Sequence, residues 1–83
     1  MTVTIRYFAA AAEAAGVSTE TVDAQAARTA GQLRATLVAA HGDALERVLT
    51  RCSLLAAGRR LDDDATPVPA GVTVDVLPPF AGG

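Results

Sequence analysis

Hydrophobic and polar residues alternate near both ends of the chain, and between those ends apolar residues recur at helical spacing. From Thr2 to Phe8, the residues Val3, Ile5 and Tyr7 fall on one side and Thr4, Arg6 and Phe8 on the other. This period of two, in β-branched and aromatic residues, predicts a strand. Ala9 to Ala15, alanine-rich with Glu13, predicts a short helix stopped by Gly16. Ser18 to Val22 predicts a weaker second strand, followed by a loop from Asp23 through Ala27. Thr29 and Gln32 have the spacing of a capping box and open a longer helix with a Leu33, Leu37, Ala40 stripe. His41 and Gly42 read as its last turn and stop. Asp43 and Glu46 repeat the capping pattern for a short helix with Leu45, Val48 and Leu49 facing inward. Cys52 to Ala57 is an apolar run of strand length. Gly58-Arg59-Arg60 reads as a turn into a short extended piece at Leu61. Asp62 to Asp64 and Pro67 to Gly71 read as a polar, proline-rich loop.

The final strand carries the most information. Val72, Val74 and Val76 alternate with Thr73 and Asp75 and run into Leu77, Pro78 and Pro79. Two prolines end a sheet ladder and stiffen the exit, because neither can donate a backbone hydrogen bond. Phe80, Ala81, Gly82 and Gly83 follow, and beyond Phe80 there is almost no side chain. Four extended residues reach at most about 14 Å, and glycine lets other groups approach its backbone closely. Such a tail is either a frayed end or a thread that passes a terminal carboxylate into another protein's active site. A Gly-Gly placed after a proline-terminated strand favours the thread.

Strand, helix, strand, helix, short helix, strand, short strand and strand make an α+β arrangement. Its expected form is a mixed four- to five-stranded sheet with helices on one face. The chain shows no linker or repeat, so residues 1–83 read as one domain with a tail over 78–83. If the first and last strands are parallel neighbours, Phe8 and Leu77 meet on the face away from the helices. They then form an exposed apolar patch beside the tail, unless loops cover both.

Composition narrows the function classes. Hydrophobic residues make up 51%, but 19 residues are alanine, so Val, Leu, Ile5, Tyr7 and Phe8 must supply the core. A net charge of −2 argues against a nucleic-acid partner. No apolar run has membrane-spanning length, and no signal-peptide pattern opens the chain, so a cytoplasmic location is expected. A single cysteine, Cys52, excludes an internal disulfide and fits a reducing compartment. All seven basic residues are arginine, so the chain holds no Schiff-base amine and cannot link to copies of itself through lysine. His41 reads as a helix C-terminal cap rather than an acid–base group. Cys52 reads as a small buried core residue, Asp62 to Asp64 as a solvated loop rather than a cation site, and Arg59 and Arg60 as a solvated turn. No metal-ligand spacing and no phosphate-binding glycine loop is present.

Nearly the whole chain resembles the MoaD/ThiS group of ubiquitin-like sulfur carriers, which includes the small subunits of molybdopterin synthases. The resemblance rests on Arg6-Tyr7-Phe8-Ala9 with Glu13 and Gly16, on the helix around Leu33 and Leu37, and on Leu54-Leu55-Ala56. Its most specific part is the ending Val76-Leu77-Pro78-Pro79-Phe80-Ala81-Gly82-Gly83. The chain departs from the pattern after the central strand, where many relatives carry an Asn-Gly or similar turn and this sequence has Ala57-Gly58. The resemblance implies a β-grasp fold and no tightly bound cofactor. It implies that an E1-like adenylating enzyme uses ATP to activate the Gly83 carboxylate and that a sulfur donor protein then leaves a thiocarboxylate there. The synthase large subunit would receive the tail, and the sulfur would enter a pyranopterin on the way to molybdopterin. Gly83 would be the reacting residue. Gly82, Ala81, Phe80, Pro79, Pro78, Leu77 and Phe8 would form the tail and partner contacts, and the catalytic side chains would lie on the large subunit. Sulfur delivery to thiazole, cysteine or tRNA, and a ubiquitin-like binding or modifier role, stand as alternatives.

Overall fold

The computed structural model describes residues 1–79. Five strands form one sheet: β1 (Thr2–Tyr7), β2 (Thr19–Asp23), β3 (Ser53–Ala56), β4 (Arg59–Arg60) and β5 (Thr73–Leu77). Their spatial order is β2-β1-β5-β3-β4. β1 and β5 are parallel, and every other pair is antiparallel. Three helices accompany them: α1 (Ala10–Ala15), α2 (Ala30–His41) and α3 (Asp43–Leu49). The sheet is therefore mixed and five-stranded, with the helices packed on one face, the β-grasp arrangement.

Strand parity fixes which face is covered. Val3, Ile5 and Tyr7 of β1, Leu54 and Ala56 of β3, and Val74 and Val76 of β5 are all buried. They pack against Leu33 and Leu37 of α2, Leu45 and Leu49 of α3, and Ala11 of α1. Each Val, Leu or Ile removed from water in this layer contributes roughly 1.5–3 kcal/mol. With so many alanines in the helices, the strand residues and four leucines carry most of that stabilisation. The α2 stripe is Ala30, Leu33 and Leu37, while the expected Ala40 is exposed.

Caps explain the helix limits. Thr29 Oγ1 accepts from the Gln32 amide at 3.2 Å, and Gln32 reaches back one residue further than expected, to the Arg28 amide at 2.7 Å. Two more amides of the first turn are satisfied by the following loop: Ala30 N–H donates to Thr66 O and Gly31 N–H to Asp64 O. The loop expected to be merely polar and solvated is thereby pinned, with Leu61 and Val68 buried beneath it. α3 departs from its expected cap. Asp43 is its first helical residue, Gly42 precedes it, and no side chain caps it. Asp43 and Glu46 instead place negative charge in the first turn, where the helix dipole favours it.

Two further boundaries differ from expectation. The Asp23–Ala27 segment contains a 3-10 turn at Ala24–Ala26, started by Asp23 accepting from the Gln25 amide. β4 lies at Arg59–Arg60 rather than at Leu61, because Ala57 and Gly58 form a two-residue hairpin turn. Both take positive φ, 52° and 77°, as the tight turn with matching twist requires. Asn tolerates that conformation better than Ala, which is why an Asn-Gly pair is the usual solution.

Gly31 gives a direct stability test. A Cβ built there would lie 2.9 Å from Asp64 Cβ and 3.3 Å from Asp64 O, which is the acceptor for the Gly31 amide. Gly31→Ala should lower stability by about 1 kcal/mol in urea melts, despite the higher helix propensity of alanine. Unchanged or increased stability would show that the loop is not seated on the helix as described.

Candidate functional site

β5 sits between β1 and β3 and carries the chain to the two prolines. Tyr7 pairs with Val76, and Ser53 with Leu77. Phe8 N–H then donates to Val76 O at 3.2 Å, so β1 and β5 end side by side. Pro78 is half-buried and Pro79 exposed. Phe80, Ala81, Gly82 and Gly83 lie outside the described residues.

The face opposite the helices carries the expected patch, enlarged. Phe8 is 38% exposed and Leu77 is half-buried. Leu55, half-buried and opposite Asp75, lies on the same face because its neighbours Leu54 and Ala56 point into the core. Arg6 spans this surface. Its guanidinium makes a two-pronged ion pair with Asp75, at 2.6 and 2.9 Å, and lies 5.7 Å from the centre of the Phe8 ring. That distance is within cation–π range. The pair is largely exposed, so its contribution to stability is small. Its geometric effect is to hold the Arg6 guanidinium over the Phe8 ring.

On the helix side, Tyr7, Glu20 and His41 form a polar cluster. Glu20 pairs with Ile5 in the β1–β2 ladder and so points toward the helices. Its carboxylate accepts from the Tyr7 hydroxyl at 2.6 Å and is bonded to His41 Nε2. The Tyr7 and His41 rings meet edge to face, with centroids 5.9 Å apart. His41 was expected to serve as a helix cap. Its ring is instead turned to Glu20, and Gly42 N–H satisfies the Val38 carbonyl. Burial first, and then the bond and charge of Glu20, push the Tyr7 phenol well above its ordinary range.

A groove of about 400 Å³ opens between α1, α3 and the two prolines. Cys52 lines it. Expected in the core, Cys52 is half-buried at the core's edge, and burial pushes its thiol up. A raised thiol is a weaker nucleophile at neutral pH, which does not favour a sulfur-carrying role for Cys52. Asp62 and Asp64 are exposed, as expected, but pair with Arg60 and Arg34. Among the described residues no cluster of His, Cys, Asp and Glu could hold a metal ion. No helix there is long and apolar enough to cross a membrane.

The ThiS family model matches residues 5–83. The chain belongs to the ThiS family. Solved structures agree with this placement of the ThiS-family chain. It is similar to SAMP1, the small archaeal modifier protein 1 of Haloferax volcanii, with 31% identity over 100% of both chains and a TM-score of 0.79. The HVO 2177 protein of Haloferax volcanii is 32% identical, over 100% of this chain and 87% of that one, with a TM-score of 0.73. A complex of subunits 1 and 2 of the molybdopterin-converting factor from Helicobacter pylori gives 25% identity, 100% coverage of both chains and a TM-score of 0.71. No curated protein matches the chain significantly. Its fold is that of the MoaD/ThiS group of ubiquitin-like sulfur carriers.

Of the site residues named from the sequence, the structure brings Phe8, Leu77, Pro78 and Pro79 together at one end of this ThiS-family sheet. Sequence reading missed Leu55, the Arg6–Asp75 pair and the Tyr7–Glu20–His41 cluster. Parity could have found Glu20, since Val22 faces inward and a residue two positions away must do the same.

Tyr7 is the only tyrosine, so ultraviolet absorbance reads it alone. Unfolded, it should ionise near pH 10, whereas the folded protein should show little tyrosinate there. Because the folded pKa is raised, the stabilisation from neutral Tyr7 is whole below about pH 10 and falls as pH rises further. Glu20→Gln should move the folded titration downward while leaving it above the ordinary value, since burial is the larger cause. An ordinary titration in the folded wild type would contradict the cluster.

Proposed function

We propose that this chain carries sulfur as a thiocarboxylate on Gly83 and donates it to a pyranopterin during molybdopterin synthesis. The observation that carries this reading is structural. The ladder ends in Pro78-Pro79, directly after Leu77 on the apolar face that also carries Phe8 and Leu55, so the tail and this apolar surface start from the same end of the sheet. The likeness to a converting-factor subunit 1 that is paired with subunit 2 supports that pathway.

The chemistry follows from the poor reactivity of a carboxylate. A Gly83 oxygen attacks the α-phosphorus of ATP in an E1-like enzyme, and pyrophosphate leaves. Hydrosulfide released by a donor protein then adds to the acyl carbon, and AMP leaves. The resulting thiocarboxylate sulfur is the nucleophile presented to the precursor in the large subunit. Gly82 and Ala81 give the tail clearance, Phe80 anchors it, and Phe8 with Leu77 meets the partner. The catalytic acids and bases belong to the partners, and ATP is their substrate.

A second reading is favoured by the 31% identity to a small archaeal modifier protein. In it, the activated Gly83 is joined to a lysine of a different protein. This chain has no lysine, so such conjugates would not extend into chains of itself.

Intact-mass analysis of the protein isolated with its activating enzyme separates the two. The carrier should show the mass gain of one oxygen-to-sulfur exchange at Gly83. Deletion of Gly83 should abolish sulfur transfer at least 100-fold with an unchanged melting curve. Full cofactor synthesis by the truncated protein would overturn the carrier reading, and isopeptide adducts without a thiocarboxylate would replace it with the modifier reading.

A further inference from the structure

The groove between α1, α3 and the prolines has no part in the chemistry above. Its apolar walls include Ala9, Val48, Pro78 and Pro79, and Arg47 and Arg51 stand on it. Both arginines are exposed. Among the described residues, neither makes an ion pair or a side-chain hydrogen bond; Arg59, in β4, is likewise unpaired, while Arg6, Arg34 and Arg60 are paired with aspartates and Arg28 is bonded to Gln25. No acidic residue among them lines the groove, although the chain as a whole carries a net charge of −2. The dipole of α3 accounts for Arg47 in its last turn. It does not account for Arg51 beyond the helix, nor for an apolar cleft beside two charges that have no counter-charge among the described residues.

Ala9, on the wall of the groove, takes φ 53° and ψ −127°, a conformation that L side chains rarely adopt. Backbone strain of this kind persists only where surrounding structure enforces it. Here β1 fixes the chain before Ala9, and the Ala11, Ala12 and Glu13 amides bond back to the carbonyls of Phe8 and Ala9.

We propose that Arg47 and Arg51, with the apolar groove beneath them, dock an acidic segment of the adenylating enzyme that grips the tail. This rests on the carrier reading above and adds a second contact face to it. The groove shares Pro78 and Pro79 with the tail root, so any protein that engages the tail passes over it. The adenylating enzyme must bring an anionic carrier to a triphosphate. A local basic rim steers that encounter without adding a large apolar interface, and so allows the carrier to leave again.

Steady-state pyrophosphate release by the cognate adenylating enzyme tests this, with the full chain as substrate and a sulfur donor present so that the enzyme turns over. The double variant Arg47→Glu/Arg51→Glu is compared with Arg28→Glu/Arg59→Glu, which changes net charge equally. The first should raise KM for the carrier about tenfold with kcat unchanged, and should flatten the dependence of kcat/KM on salt between roughly 0.05 and 0.3 M. The second should shift KM less than about threefold. Arg47→Lys/Arg51→Lys should restore most of the wild-type KM, and thermal melts should establish that all variants are folded. Equal effects of the two charge reversals, or none from the first, would overturn the docking face while leaving the carrier reading intact. So would an effect confined to large-subunit binding. A wild-type chain that is not adenylated at all would overturn both.

Discussion

The parallel pairing of the first and last strands organises this molecule. β5 is hydrogen-bonded on both sides, by β1 and by β3, and its Val74 and Val76 are fully buried. Strands that run parallel cannot be joined by a tight turn. The 65 residues between Tyr7 and Thr73 therefore form the crossover, and they supply the helices that cover one face. One consequence is spatial. The two strands end together, so Phe8, Leu77 and the prolines share one edge of the sheet although they are far apart in sequence.

That constraint divides the molecule into a covered face and an open one. On the covered face, alanine-rich helices pack against the sheet, and a partly buried carboxylate, Glu20, is bonded to Tyr7 and His41. No buried side-chain nitrogen or oxygen among the described residues lacks a partner. The cluster ties the end of α2 to both strands of the first hairpin, at the end of β1 from which the Phe8 patch extends. On the open face, Arg6 and Asp75 are held across the two parallel strands beside apolar side chains. A surface of that composition is suited to a partner that comes and goes, since it joins a modest apolar area to oriented charge.

Much of the fold was legible because strand parity is strict. Alternation alone puts Val3, Ile5 and Tyr7 on one side of the first strand and Val72, Val74 and Val76 on one side of the last; all are buried except Val72, which precedes β5 and is partly buried. Gly16 and Gly42, expected as helix stops, both take positive φ. Errors arose where local signals compete with tertiary contacts. His41 has the position of a cap, but a carboxylate 21 residues away holds its ring. Asp43 has the side chain of a cap, but Gly42 lets the helix begin one residue earlier. Cys52 opens an apolar run, yet it precedes β3 and falls at the core's edge. The Asp62–Asp64 loop looks solvated, and only its backbone reveals that it closes the first turn of α2. Arg47 and Arg51 carried no signal in the sequence, because a groove is made by elements that are distant along the chain.

The central claim is that β5 is a fixed post that carries the chain to Pro78 and Pro79. Native-state hydrogen exchange, resolved by residue, tests it most directly. The β5 amides from Val74 to Leu77 should exchange only through global unfolding, together with those of central β1, while β2 and β4 at the sheet edges open sooner. Exchange in β5 as fast as in those edge strands would mean that the last strand frays locally, and the account of a rigid tail root would fail.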